Sequence, residues 1–463
     1  MEFRKRGWCL LLLLIASIGV ISLGTRSVAE EIPGFSKNKL SFWGTLRFRY
    51  ENQDNFNIKS YGQNPVAGRV DDAFTIGRLR AGFRYRPMND LIISVGIQHA
   101  LVWGLALEEK DFYNPKFDRE NNPYKDEWES FDTYIELKNM FSQPLSIKAG
   151  RQLIYYGDKR IFGPGQWGNS GKWMWDAVKI HYKWEQGFVD SYYGRSIIHD
   201  PDVFTLSHRH GYESLGFYSH LAIPVQKLSF VVEPFAMTKK DKHDRYSGED
   251  GKTGDLSTYY LGVRGVIKDL KGINLDFTYV IQKGEYGSDD VDAFGYHFLL
   301  GYRAAFFPLR PYIYTEYSYG SGDSDPKDGE HGTFDGAFGA RDKMYGRMNL
   351  FKWMNIKDAQ INLELSLLKQ IHIKLEYHKF WLAEEKDAWY LNPKAYRDKS
   401  GESGDEVGRE FDVVVKYKLP AGNELQAGYG HFWPSEFARN VASDDEANWF
   451  FIQWQIKYSK GIL

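Results

Sequence analysis

The 463-residue chain has one cysteine, Cys9, so no disulfide framework can hold it together. After residue 23 no run approaches the ~18 consecutive apolar residues that a spanning helix needs. Mean hydropathy is −0.50, and a helical membrane protein is excluded. Neither sign of charge dominates: 59 basic residues stand against 61 acidic ones, which gives no overall electrostatic case for nucleic-acid binding. Helical periodicity is largely missing. What is present is 43% hydrophobic and 16% aromatic residues with 45 Gly, 31 Tyr and 31 Phe, too much apolar surface for a disordered chain.

Residues 1–29 read as a secretory signal. Arg4, Lys5 and Arg6 form its basic start, Leu10 to Val20 its apolar middle, and Ser27-Val28-Ala29 its small-residue cleavage site. Cys9 leaves with this segment, and a lipoprotein would need its cysteine after the apolar run. The expected mature chain, residues 30–463, is one domain.

From residue 40 onward, apolar residues recur at every second position in segments of about ten, the period of a strand with two unlike faces. Strands are expected near 41–52, 73–87, 91–103, 129–138, 145–156, 175–184, 188–197, 211–222 and 228–238. The rest lie near 257–267, 273–282, 292–305, 310–320, 357–367, 371–382, 408–418, 423–433 and 447–459, an even total of eighteen. Tight connections such as Pro87-Met88-Asn89-Asp90 and Glu185-Gln186-Gly187 alternate with long ones at 104–128, 157–174, 239–256, 321–356 and 383–407. One rim of tight turns and one of long loops is the plan of an outer-membrane barrel. The fold class is therefore all-β, a transmembrane antiparallel barrel with short periplasmic turns and long extracellular loops. Both termini fall on the periplasmic side.

The faces agree. Thr75, Gly77, Leu79, Ala81, Phe83 and Tyr85 share one side of a strand, while Arg78, Arg80, Arg84 and Arg86 share the other. Eighteen strands leave an aqueous lumen, so the polar side points in and the apolar side meets lipid. Trp43, Trp103, Trp184, Trp381 and Trp433 near strand ends suit interfacial girdles.

Parity then lists the lumen. Arg47, Arg49, Arg78, Arg80 and Arg84 make one basic wall. Elsewhere Lys179, Lys183, Arg264, Arg303, Lys374 and Lys416 mix with Asp132, Glu136, Asp276, Glu364, Glu376 and Asp412. A guanidinium row suits carboxylates, because its planar fork makes two parallel hydrogen bonds and stays charged. Cross-strand pairing that merely holds the barrel open is the competing reading for any single residue. His208 and His210 lack further ligands for a metal, and Lys327 interrupts a calcium-like loop at Gly322–Gly329. No nucleophile elbow or phosphate loop appears, so no enzyme and no cofactor are expected.

Gly150-Arg151-Gln152 with Tyr156-Gly157-Asp158-Lys159-Arg160, Gly163-Pro164 and Trp167 resembles the alginate export family of bacterial outer-membrane barrels. Trp175-Asp176-Ala177-Val178-Lys179, Phe334-Asp335-Gly336, Tyr345-Gly346, His378–Leu382, Gly404–Asp412 and Gly428-Tyr429-Gly430 extend the likeness in order. The resemblance implies an eighteen-stranded porin in the outer membrane. It would let a negatively charged uronate polysaccharide leave the periplasm through an arginine-rich constriction that also contains acids. It adds Arg151 and Asp176 to the candidate site. Strict alternation puts Arg151 with Leu145, Ile147 and Ala149 on the lipid face, so either a bulge at Gly150 shifts the register or Arg151 lies at the rim. Arg341-Asp342-Lys343 departs from the family where a His is expected. The implied partners are an anionic polysaccharide, outer-membrane lipid and periplasmic polymer-delivery proteins. A small-solute porin, a barrel plugged by its own loops and an embedded hydrolase are the alternatives.

Overall fold

A computed structural model describes residues 39–63, 69–114, 118–165, 167–170, 173–204, 209–225, 228–391 and 394–462. The signal segment with Cys9, and His208, lie outside the described residues. The chain forms β1 (Leu40–Asp54), β2 (Asp72–Met88), β3 (Leu91–Trp103), an interrupted β4 (Asp126–Ser130 and Tyr134–Leu137), β5 (Leu145–Leu153) and β6 (Met174–Trp184). Next come β7 (Gly187–Ile198), β8 (Arg209–Val225), β9 (Leu228–Ser247), β10 (Thr253–Leu270), β11 (Ile273–Tyr286) and β12 (Asp289–Arg303). The last six are β13 (Tyr312–Gly320), β14 (Ile356–Ser366), β15 (Ile371–Trp381), β16 (Glu406–Lys418), β17 (Asn423–Pro434) and β18 (Ala447–Gly461).

Each strand pairs antiparallel with the next, and β18 returns to β1, from Ser41 opposite Gly461 to Asp54 opposite Asn448. The result is a closed barrel of eighteen strands. Closure leaves no edge and gives every strand two hydrogen-bonding neighbours, which is what an apolar surround demands. Phe83, Val95, Ile97, Val178, Ile180, Leu215, Leu261 and Phe298 stand exposed on the outer wall, a band that lipid covers.

Two expected boundaries move. The stretch 239–256 is not a long loop, because β9 runs to Ser247 and β10 starts at Thr253, so both strands project beyond the band. β4 is broken at 131–133, with Trp128 and Asp132 in left-handed conformations at φ 60° and 50°. Of the expected girdle tryptophans, Trp103 and Trp433 are exposed on the outside. Trp43 instead turns inward, because Gly82 and Gly96 form a slot: a Cβ there would stand 2.7 and 2.8 Å from its ring.

The largest difference lies inside. Inward positions from the extracellular ends down to mid-strand are aromatic, Trp175, Tyr192, Tyr218, Phe235 and Tyr260 among them, and bare aromatics facing water recruit apolar cover. The loops supply it. Ile154, Tyr156 and Phe162 from loop 154–173, Phe334, Phe338 and Trp353 from loop 321–355, and Trp389 from loop 382–405 pack with them into one core. Gly163 N donates to Phe338 O (3.2 Å), Phe338 N to Ile161 O (3.2 Å) and Ala340 N to Lys159 O (2.8 Å), so two loops are stitched together within the barrel. The extracellular half is filled rather than open.

Candidate functional site: a basic wall and the loop that covers it

Arg47 and Arg49 on β1 and Arg78, Arg80 and Arg84 on β2 sit on the inner face, as alternation requires. Arg47 and Arg78 are register partners, and like charges placed directly opposite repel. A shared acceptor relieves them: Arg47 Nη2 and Arg78 Nη1 each donate to Gly168 O at 2.9 Å. Arg47 also donates to Asn169 Oδ1 at 3.1 Å. Arg49 donates to Trp167 O (2.9 Å) and Glu51 Oε1 (2.8 Å), and its guanidinium lies 3.5 Å over the Trp167 ring. The Asn169 amide, fully buried, donates to Gly77 O (3.0 Å), Leu101 O (3.0 Å) and Tyr124 O (2.7 Å). Segment 167–170 is thus seated on the basic wall, and Arg47, Arg49 and Arg78 are buried beneath it rather than open to a lumen.

Lower on the wall, Arg80 donates to Gln98 Oε1 (2.6 Å) over the Phe131 ring, and Arg84 reaches Asp132 at 3.4 Å. Among the described residues no carboxylate lies within 4 Å of Arg78 or Arg80. The rest of the inner wall differs. Lys179 pairs with Asp190 (2.8 Å), Arg264 with Glu233 (2.6 Å) and Asp276, Lys374 with Glu376 (2.7 Å), Lys416 with Glu424 (3.5 Å) and Arg303 with Glu364 (3.8 Å). For these the cross-strand pairing reading holds, except that Lys374 and Glu376 lie two apart on one strand.

Arg151 lies at the rim. Pairing of β5 with β6 runs unbroken from Leu145 opposite Tyr182 to Leu153 opposite Met174, so no bulge intervenes and Arg151 keeps the side of Val178 and Ile180. Its fork is spent: Nε and Nη2 meet both oxygens of Asp176 at 3.0 Å, and Nη1 meets Glu129 at 2.7 Å. His210 also bonds Asp176, at 3.1 Å.

The loops bring charges that alternation could not assign. Arg160, buried, donates to Asp158 (2.8 Å), Glu316 (2.6 Å) and Ser318 (3.3 Å), tying loop 154–173 to β13. Asp342 accepts from Trp167 N at 3.0 Å, Arg347 pairs with Glu376, and Met348 N donates to Glu410 at 2.9 Å. A chamber of about 910 Å³ lies among the loops, lined by Arg49, Lys59, Trp167, Arg341, Asp342 and Tyr345 among others. Lys343 is exposed toward the interior space yet enclosed by the barrel. That enclosure, with Arg347, Lys416 and Lys374 around it, pushes its ammonium down to about 8. The sequence did carry a signal for two of these sites: Arg160 lies in the first resemblance block, and Arg341-Asp342-Lys343 is where the chain departs from it.

A family model described as alginate export matches residues 38–451. The chain belongs to the alginate export family. No curated protein matches this family member in sequence. Its fold is similar to that of OccAB1 from Acinetobacter baumannii, with TM-score 0.59 at 11% identity over 93% of this chain and 100% of that one. OpdK from Pseudomonas aeruginosa, solved with vanillate, gives 0.58 at 11% over 92% and 100%, and OprD from the same organism 0.53 at 12% over 92% and 95%. Family and architecture make this member of the alginate export family a channel of the bacterial outer membrane, with the fold of transport channels.

Proposed function

We propose that this channel lets an anionic exopolysaccharide, an alginate-like polyuronate, leave the periplasm by passive diffusion along arginines of the β1–β2 wall. The observation that carries the reading is the contrast within one lumen. On the other strands Lys179, Arg264, Arg303, Lys374 and Lys416 are matched by carboxylates, whereas Arg78 and Arg80 rest on a carbonyl and an amide. Their field is left for a mobile anion to balance. Arg47, Arg49 and Arg84 extend the row, and Arg151 with Asp176 acts from the rim by holding β5 and β6 together. Lipid surrounds the barrel, and periplasmic proteins deliver the polymer. No nucleic acid and no cofactor enter the reading. The mature chain in a planar bilayer under a salt gradient tests it: anion-selective current blocked by micromolar oligouronate supports the proposal, and cation-selective or unblockable current refutes it.

One observation favours a small-solute porin instead. The chamber of about 910 Å³ falls in the range of small-molecule pockets, and OpdK was solved with a small carboxylate. Liposome swelling that admits monouronate and excludes tetramers would select this reading.

A further inference from the structure

Loop 154–173 is held in the barrel at two places by different chemistry. At one, Arg160 meets the carboxylates of Asp158 and Glu316. At the other, Arg47 and Arg78 share the neutral carbonyl of Gly168, Arg47 also meets the Asn169 amide oxygen, and Arg49 meets the carbonyl of Trp167 besides its own partner Glu51. A guanidinium bonded to a carbonyl is already charge-assisted, but a carboxylate adds the opposite charge and can take two parallel bonds from the fork, which a single carbonyl oxygen does not match. The first anchor is already saturated, whereas the second offers a weaker acceptor to a pair of guanidinium groups that face one another and repel.

We propose that segment 167–170 is a carboxylate-operated latch: the Gly168 carbonyl stands in for a substrate carboxylate, and a uronate that takes its place on Arg47 and Arg78 unseats the segment. This rests on the polyuronate reading above and adds how the polymer opens its own path. The exchange balances, because Arg47 and Arg78 keep their donors occupied and gain a charge-matched partner, while Gly168 O passes to water. Trp167 leaves with Gly168, since its carbonyl and ring both lie against Arg49. Asn169 is the positioning residue. It touches no substrate, but its bonds to Gly77, Leu101 and Tyr124 set where the carbonyl sits. Arg160 keeps the far end of the loop in place, so the motion is confined to the stretch around 167–170.

Hydrogen–deuterium exchange on the unmodified mature protein in lipid nanodiscs, with and without a tetra-uronate whose binding is followed by calorimetry, tests this directly. The amides of Trp167 and Ser170, bonded to Asp342 and to Pro123 O in the seated loop, should exchange about ten-fold faster with ligand. Those of Gly163 and Phe338, which join the two loops, should not change. Binding without faster exchange at 167–170 overturns the latch and leaves the polyuronate reading standing. Absence of binding overturns both. Asn169→Ala should exchange fast without any ligand, and protection retained in that variant also refutes the latch.

Discussion

Arg47 on β1 and Arg78 on β2 stand directly opposite each other, and both guanidinium groups donate to a single acceptor, the carbonyl oxygen of Gly168, at 2.9 Å. A barrel wall has no structural need for two facing cations, since each could be a neutral inward residue at no cost in strand pairing. Their retention next to Arg80 concentrates positive charge on one arc of the interior.

That arc should set ion selectivity. Arg78→Glu with Arg80→Glu is expected to move the reversal potential from anion toward cation preference while strand content by circular dichroism stays constant. An unmoved potential would remove the wall from the conduction path.

Arg151 makes the contrasting case. Because its fork is consumed by Asp176 and Glu129 at the rim, Arg151→Ala should leave the reversal potential unchanged and lower the thermal midpoint in detergent. A shift in selectivity without loss of stability would place it on the ion path instead.

Arg160 is buried between Asp158 and Glu316, so Arg160→Met strands two carboxylates. Breaking a buried pair from one side costs about 3–5 kcal/mol. Calorimetry should therefore show a lower-temperature transition for the interior loops, and a wild-type profile would count against this anchor.

Lys343 offers a pH test. With its ammonium pushed down to about 8, it is charged at pH 7 and largely neutral at pH 9, so anion preference should weaken across that interval. Lys343→Met should flatten the profile at its high-pH level. A profile unchanged by the substitution would assign the titration to another group.

Gly346 adopts φ +78°, and a Cβ there would stand 2.5 Å from the Glu410 carboxylate. Gly346→Ala combines left-handed strain with that clash, and a cost of about 1–3 kcal/mol is expected. The readout is faster proteolytic nicking of 321–355 with intact barrel spectra; resistance equal to wild type would show that the loop shifts to accommodate it.

The barrel was legible because its signal is local. Residues two apart share an environment, so alternation alone predicted the third strand at 91–103, where it lies, and put Arg47, Arg49, Arg78, Arg80 and Arg84 inside. It also put Arg151 with Leu145 and Ile147, and the unbroken pairing to β6 keeps it there. The filled interior was not legible. Trp175, Tyr192 and Tyr218 look like ordinary strand aromatics one at a time, and only their convergence on one side of the interior creates the demand for apolar cover. Loops have no period, so nothing in the order of residues 154–173 says that Asn169 reaches three carbonyls on three other segments.

The contacts that seat loop 154–173 join residues far apart in the chain: Arg47 to Asn169 spans 122 positions and Arg160 to Glu316 spans 156. Contacts of such separation carry a large loop-closure entropy and form late. Arg49 to Gln453, 404 positions apart, can form only once the first and last strands have met. By the same ordering, the closing of β18 on β1 is the last of these contacts to form, after the partners of loop 154–173 on the intervening strands are within reach. A chain arrested just before that step would present the unpaired edges of β1 and β18 to lipid, so sealing the seam is what makes the wall complete.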